Sequence, residues 1–280
     1  MSSTLRTIFA VIPAAQGAEP AVQAYKALPL GDRSKLVGLH VSPSAVSYGL
    51  GADLALASYI EAQIAAAAEE VEAAGAAFTQ ACEQAGVQFE WRAEKALDYL
   101  VSPRAGGMAR AADLILFPKL KDGASIGRHQ VEELVLAAGR PVLCIPENWT
   151  GTALGKSIIV AWDGGREATR AVFDAMPLLL QAKSVRIVSV KGFLDEPVRQ
   201  FTPADDICTT LSRHGISAES HTFQSSRRSV KEELRAQMLD TGADMVVMGC
   251  YGHSRFRQMI LGGVSREMLE EIPFPLLLSN

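Results

Sequence analysis

The apolar residues of this chain come in short, almost unbroken runs separated by longer stretches of helical periodicity. Arg6-Thr7-Ile8-Phe9-Ala10-Val11-Ile12, Leu36-Val37-Gly38-Leu39-His40-Val41, Leu114-Ile115-Leu116-Phe117 and Val142-Leu143-Cys144-Ile145 are such runs. Runs this short, bounded by turn residues, predict strands buried on both faces. Between them the pattern changes. Over 166–181, Ala168, Ala171, Val172, Ala175 and Leu179 form one helical stripe. Over 229–240, Val230, Leu234 and Met238 do the same, with Ser229 placed to cap the helix and Glu232 three residues on. The segment 59–85 is Ala-rich and has the highest helix propensity in the chain.

The order of these features occurs twice. The first run matches Lys156-Ser157-Ile158-Ile159-Val160-Ala161-Trp162, and the second matches Val185-Arg186-Ile187-Val188-Ser189-Val190. Gln84-Ala85-Gly86-Val87-Gln88-Phe89 matches Arg213-His214-Gly215-Ile216-Ser217-Ala218, each a helix end with glycine leading into a strand. Ala112-Asp113-Leu114-Ile115-Leu116-Phe117 matches Ala243-Asp244-Met245-Val246-Val247-Met248, and Arg140-Pro141-Val142-Leu143-Cys144-Ile145 matches Phe274-Pro275-Leu276-Leu277-Leu278. Each copy reads β-α-β-α-β-α-β-α-β. Buried strands joined by helices make a parallel sheet covered on both faces, and right-handed crossovers make it doubly wound. The expectation is α/β, with two tandem doubly wound parallel-sheet domains over 1–147 and 155–280 and a linker between them at 147–155.

Composition narrows the function classes. Of 280 residues, 48% are hydrophobic and 21% charged, enough apolar material for a sizeable core. A net charge of -4 gives no broad basic field for nucleic acid or an anionic membrane. Cys82, Cys144, Cys208 and Cys250 are widely spaced, with no CxxC and no histidine at metal-ligand spacing. They read as small buried hydrophobes in a reducing compartment, and no metal site is expected. No apolar stretch reads as a secretion signal or a membrane span, so the chain is expected to be cytoplasmic.

In an open parallel sheet, ligands bind beyond the carboxyl ends of the strands, where the strand order reverses. In the second copy two loops lead away from such ends. Ala161 and Trp162 lead into Asp163-Gly164-Gly165, and Met248 leads into Gly249-Cys250-Tyr251-Gly252. Nine residues later Gly262-Gly263-Val264-Ser265 opens a helix. The unpaired amides of a helix start carry partial positive charge and can hold a phosphate. Asp163 is placed to accept hydrogen bonds from a ribose or an adenine amino group. By itself Asp163-Gly164-Gly165 is a strand-to-helix turn with a local hydrogen-bonder.

The spacing Gly249-x2-Gly252-x9-Gly262, with Val264-Ser265 and the Pro275-Leu276-Leu277-Leu278 ending, resembles the signature of the ATP-binding branch of the universal stress protein family. The resemblance covers Lys156 to Ser279 and, more weakly, Thr4 to Pro146. It implies a Rossmann-like fold of the adenine-nucleotide alpha-hydrolase-like kind and a stress-response role. It further implies binding of ATP, with Mg²⁺, or of a related adenine nucleotide, by Ala161, Asp163, Val190, Met248, Gly249, Gly252, Gly262, Gly263, Val264 and Ser265. Family members commonly pair through the edge strand that ends each domain. Here the two copies are expected to pair with each other through Val142 to Ile145 and Leu276 to Leu278, while a homodimer stays open.

Two positions depart from the family pattern. Gly263 stands where Ser or Thr follows the last glycine, and Gly165 stands where Ser is frequent. One neutral hydrogen bond contributes roughly 0.5–1.5 kcal/mol, so the expected affinity falls about tenfold without vanishing. The first copy departs further. Its strand tip is Ile12-Pro13-Ala14, without a carboxylate, and its second loop, Pro118-Lys119-Leu120-Lys121-Asp122-Gly123, lacks the paired glycines. It reads as a degenerate copy with solvated lysines.

Several motifs resemble sites and fail on context. Gly151-Thr152-Ala153-Leu154-Gly155-Lys156-Ser157 is one residue short of a P-loop and precedes a strand instead of following one. His40 and His221 read as structural histidines. With no evident base and no catalytic residue, little or no hydrolysis is expected. A scaffold of the same fold that binds no nucleotide is the alternative, and at most the chain is a slow ATPase.

Overall fold

The computed structural model describes residues 5–44, 54–120, 128–191, 203–224, 229–250 and 263–280. In the first half the strands are β1 (Thr7–Val11), β2 (Lys35–Pro43), β3 (Phe89–Ala96), β4 (Leu114–Pro118) and β5 (Val142–Ile145). The helices between them are α1 (Ala18–Ala27), α2 (Leu54–Ala85), α3 (Val101–Met108) and α4 (Arg128–Ala138). The second half holds β6 (Ser157–Ala161), α5 (Arg166–Asp174), α6 (Met176–Leu179), β7 (Ser184–Lys191), α7 (Ala204–Arg213) and β8 (Ala218–Gln224). It continues with α8 (Val230–Thr241), β9 (Met245–Gly249), α9 (Gly263–Glu271) and β10 (Leu276–Ser279).

The ten strands of the described residues join in one sheet, ordered β3-β2-β1-β4-β5-β10-β9-β6-β7-β8. Within each half every pairing is parallel. At the middle, β5 and β10 run antiparallel, with Leu276 opposite Cys144, Leu277 opposite Leu143 and Leu278 opposite Val142. That one reversal puts the carboxyl ends of the two halves' strands on opposite edges of the sheet. Alternate residues of each strand feed two cores. On one face α1, α2, α5, α6 and α7 cover Ile8, Leu116, Leu143, Val160, Val247 and Leu277. On the other, α3, α4, α8 and α9 cover Phe9, Ile115, Cys144, Ile159, Val246 and Leu278.

The internal repeat extends to single hydrogen bonds. Ile12 N donates to Leu39 O at 2.8 Å, as Trp162 N does to Val188 O at 2.9 Å. Ile115 N donates to Pro141 O at 3.0 Å, and Val246 N to Pro275 O at 2.9 Å. The helix-ending glycines Gly86 and Gly215 have φ of 65° and 80°, the left-handed region open to glycine. The duplicated aspartates hold the amino ends of β1 and β6. Asp113 Oδ2 accepts from Arg6 N and Thr7 N at 2.7 and 2.9 Å. The Asp244 carboxylate accepts from Gly155 N and Lys156 N at 2.7 and 2.9 Å. Burial raises the Asp244 carboxyl above its ordinary range, and these amides partly oppose that shift.

Two predicted elements differ in detail. The stripe at 166–181 is not one helix: it breaks at Ala175 into α5 and α6, with Pro177 in the first turn of α6. Proline cannot donate the bond a continuous helix needs there. The segment 147–155 is tied down: Leu154 is fully buried and its amide donates to Ala27 O at 3.0 Å. The capping box on α8 is present, with Ser229 Oγ accepting from Glu232 N at 3.2 Å and Ser229 N donating to Glu232 Oε2 at 2.8 Å. No described helix is long and apolar enough to cross a membrane.

Candidate functional site

In the second half, β6 pairs with β7 on one side and with β9 on the other, so the winding direction reverses between β6 and β9. The loops leaving these two strands flank the ligand crevice of a doubly wound sheet. Ala161 at the end of β6 is paired with Met248 of β9 and with Val188 of β7. Trp162 is buried, and the chain then emerges at Asp163, which is exposed.

Asp163 Oδ1 accepts from Gly165 N at 2.8 Å, a local turn that leads into α5. Gly165 is the N-cap of α5, and a Cβ there would meet Asp163 Oδ1 at 2.9 Å. The glycine therefore keeps the carboxylate against the helix start. Within the helix, Thr169 Oγ1 donates back to Gly165 O at 2.9 Å, and no described side chain caps the first-turn amides. Asp163 Oδ2 has no partner among the described residues. One carboxylate oxygen thus stands at the strand tip and can accept bonds from a ligand.

Gly249 ends β9, opposite Ser279 of β10. Its missing side chain makes room for the protein itself. A Cβ would lie 2.4 Å from Ala168 N and 2.4 Å from the Glu167 carbonyl carbon. The close neighbour at its missing Cβ is the first turn of α5. Cys250 follows, fully buried, with its amide donating to Ser279 O at 2.8 Å and its carbonyl accepting from Asn280 Nδ2 at 2.6 Å. Burial, and then Cys144 and Glu132, push its thiol well above the usual range. It carries no nucleophilic chemistry at neutral pH.

Met248 is buried in the core shared with α8 and α9. Val190 lies in β7 opposite Phe223 of β8. Gly263, Val264 and Ser265 form the first turn of α9. Gly252 and Gly262 lie outside the described residues, as do His253, Arg255 and Arg257 between them. The structure therefore brings Ala161, Asp163, Met248 and Gly249 to one pair of strand ends. Among the described residues, no three His, Cys, Asp or Glu side chains form a group that could hold a metal ion.

At the equivalent crevice of the first half, β1 lies between β2 and β4. Pro13 occupies the position of Asp163, one residue past the repeated Ile12 amide bond. Lys119, expected to be solvated, instead donates from Nζ to Glu270 O at 2.8 Å and to Glu271 O at 2.9 Å. No sequence signal points to that contact, because its acceptors are main-chain atoms about 150 residues away. Lys121 lies outside the described residues. His40 is buried, with Nδ1 at 2.8 Å from Ile12 O and its ring stacked on Trp91.

A three-layer doubly wound sheet with parallel strands in each half defines an α/β protein of the Rossmann-like class. Residues 155–279, the second half, match the model described as "Universal stress protein family". A universal stress protein from Archaeoglobus fulgidus DSM 4304 superposes with a TM-score of 0.69 at 16% identity, covering 98% of this chain and 96% of the other. A functionally unknown protein from Pseudomonas aeruginosa PAO1 gives 0.57 at 14% identity, covering 99% and 93%. These likenesses establish the fold over both halves. No curated protein matches the chain.

Proposed function

We propose that this chain is a stress-response protein that binds ATP or a related adenine nucleotide in its second half, with little or no hydrolysis. The observation that carries this reading is the exposed Asp163 at the β6–β9 reversal, held by Gly165 N with one oxygen and open to a ligand with the other. The opening of α9 at Gly263 supplies the second element, a helix start whose amides suit a phosphate. Asp163, Ala161 and Val190 would meet the nucleoside, and Gly252, Gly262, Gly263, Val264 and Ser265 the phosphates, with Mg²⁺ as counter-ion.

Isothermal titration with ATP and Mg²⁺ tests this. The wild-type chain should bind saturably, and Asp163→Ala should weaken binding by at least about tenfold, as the loss of one hydrogen bond to a charged group predicts. No heat of binding in either protein would refute it. The scaffold reading is favoured by one observation, the close packing of α5 against Gly249, which gives that glycine a structural role. Adenylate retained through purification, seen by mass spectrometry, would count against the scaffold.

A further inference from the structure

The geometry points to a clasp by which the first half holds the helix that serves the second half's proposed ligand site, with Lys119 as the positioning residue. Because β5 and β10 run antiparallel, the carboxyl edge of the first half lies beside the amino edge of the second. Helices of a doubly wound sheet run against their strands, so α9 starts at the second half's carboxyl edge and ends at its amino edge. Its last turn therefore meets the loop that follows β4. Lys119 is the first residue of that loop, fixed by its own amide donating to Ile145 O of β5 at 2.9 Å. Its ammonium reaches across to Glu270 O and Glu271 O, two of the carbonyls a helix end leaves unpaired.

The end of α9 needs this help. Ile272, the residue that stops the helix, sits at φ 42°, buried, with its amide donating to Met268 O at 2.9 Å. A β-branched residue in the left-handed region is strained, where glycine would be relaxed. A cation bonded to the last carbonyls offsets that strain and complements the helix dipole. The repeat position does not return the contact, and the second half reaches the end of α4 differently, with Arg170 Nη2 donating to Gly139 O at 3.5 Å. At the repeat position of Lys119 the second half has Cys250, whose amide makes the matching bond to Ser279 O at 2.8 Å but whose buried thiol offers no charge. The first half, which lacks a strand-tip carboxylate at Pro13, thus has a cation directed at its neighbour's helix. Within the second half Lys231 also steadies α9, through Glu267 and Glu271 at 3.4 and 3.0 Å.

The ligand part of this inference rests on the nucleotide reading above, while the clasp does not. The test measures amide hydrogen exchange across α9 and ATP affinity in wild type, Lys119→Met and Lys119→Arg. In Lys119→Met the α9 amides up to Ile272 should exchange roughly two- to fivefold faster, and ATP should bind more weakly by a similar factor. Exchange in α1 and α7 should be unchanged. Lys119→Arg keeps the cation and donors, and should restore both readouts. Unaltered α9 exchange in Lys119→Met overturns the clasp, and faster exchange with unaltered ATP affinity overturns its link to the site. A wild-type chain that binds no ATP refutes the nucleotide reading and the link together, and α9 exchange then decides the clasp alone.

Discussion

At the scale of single residues, the side chain that is missing at Gly249 is as informative as those present. Its Cα faces the backbone of Glu167 and Ala168 at distances no Cβ tolerates. Gly249→Ala should therefore destabilise the fold by about 3 kcal/mol, in the upper range for overpacking, in chemical denaturation without ligand. A variant as stable as wild type would mean that α5 can move away. The cysteines give a pH test. Burial pushes the Cys82 and Cys144 thiols up to about 12. An unfolded thiol ionises near 8.5, so the stability these thiols contribute is fully present below about pH 8.5 and is lost as pH rises towards their folded values. Alkylation at pH 8 should label the half-buried Cys208 before Cys82, Cys144 and Cys250. The reverse order would contradict the packing. From sequence, Asp163 was readable as a strand-tip carboxylate because its neighbours are glycines. The partner of Gly249 was not, because close backbone approach between distant segments leaves no pattern.

At the scale of elements, the caps and breaks were as legible as their chemistry is local. Ser229 and Glu232 form the expected reciprocal pair at the start of α8. Ser229→Ala should cost about 1 kcal/mol of stability, read from the denaturation midpoint. A change near zero would mean that water replaces the cap. The glycines that end α2 and α7 were readable for the same local reason. The break between α5 and α6 was missed because the apolar stripe runs through it, and Pro177 decides the matter against the stripe. Lys119 was misread for the opposite reason. A lysine in a polar loop looks solvated unless the antiparallel β5–β10 pair, which carries α9 to it, is already known.

At the scale of the molecule, duplication explains most of what the sequence disclosed. Each half repeats the same strands, the same helix-ending glycines and the same aspartate clamp, at Asp113 and Asp244. The copies differ at Asp163 against Pro13 and at Cys250 against Lys119, the positions on which the proposed division into a ligand-binding half and a supporting half rests. Both cores run through the two halves without interruption. Unfolding followed by far-ultraviolet circular dichroism and by tryptophan fluorescence, from Trp91 in one half, Trp149 in the connecting segment and Trp162 in the other half, should give one coincident transition. Two separated transitions would show that the halves are energetically independent.

The central claim is that one crevice of the two binds an adenine nucleotide. A crystal structure of the chain soaked with a non-hydrolysable ATP analogue tests it most directly. Density beside Asp163, with the phosphates at the start of α9 and nothing beside Pro13, is the predicted result. An empty crevice in the second half at saturating analogue, or a nucleotide bound only in the first, would contradict it.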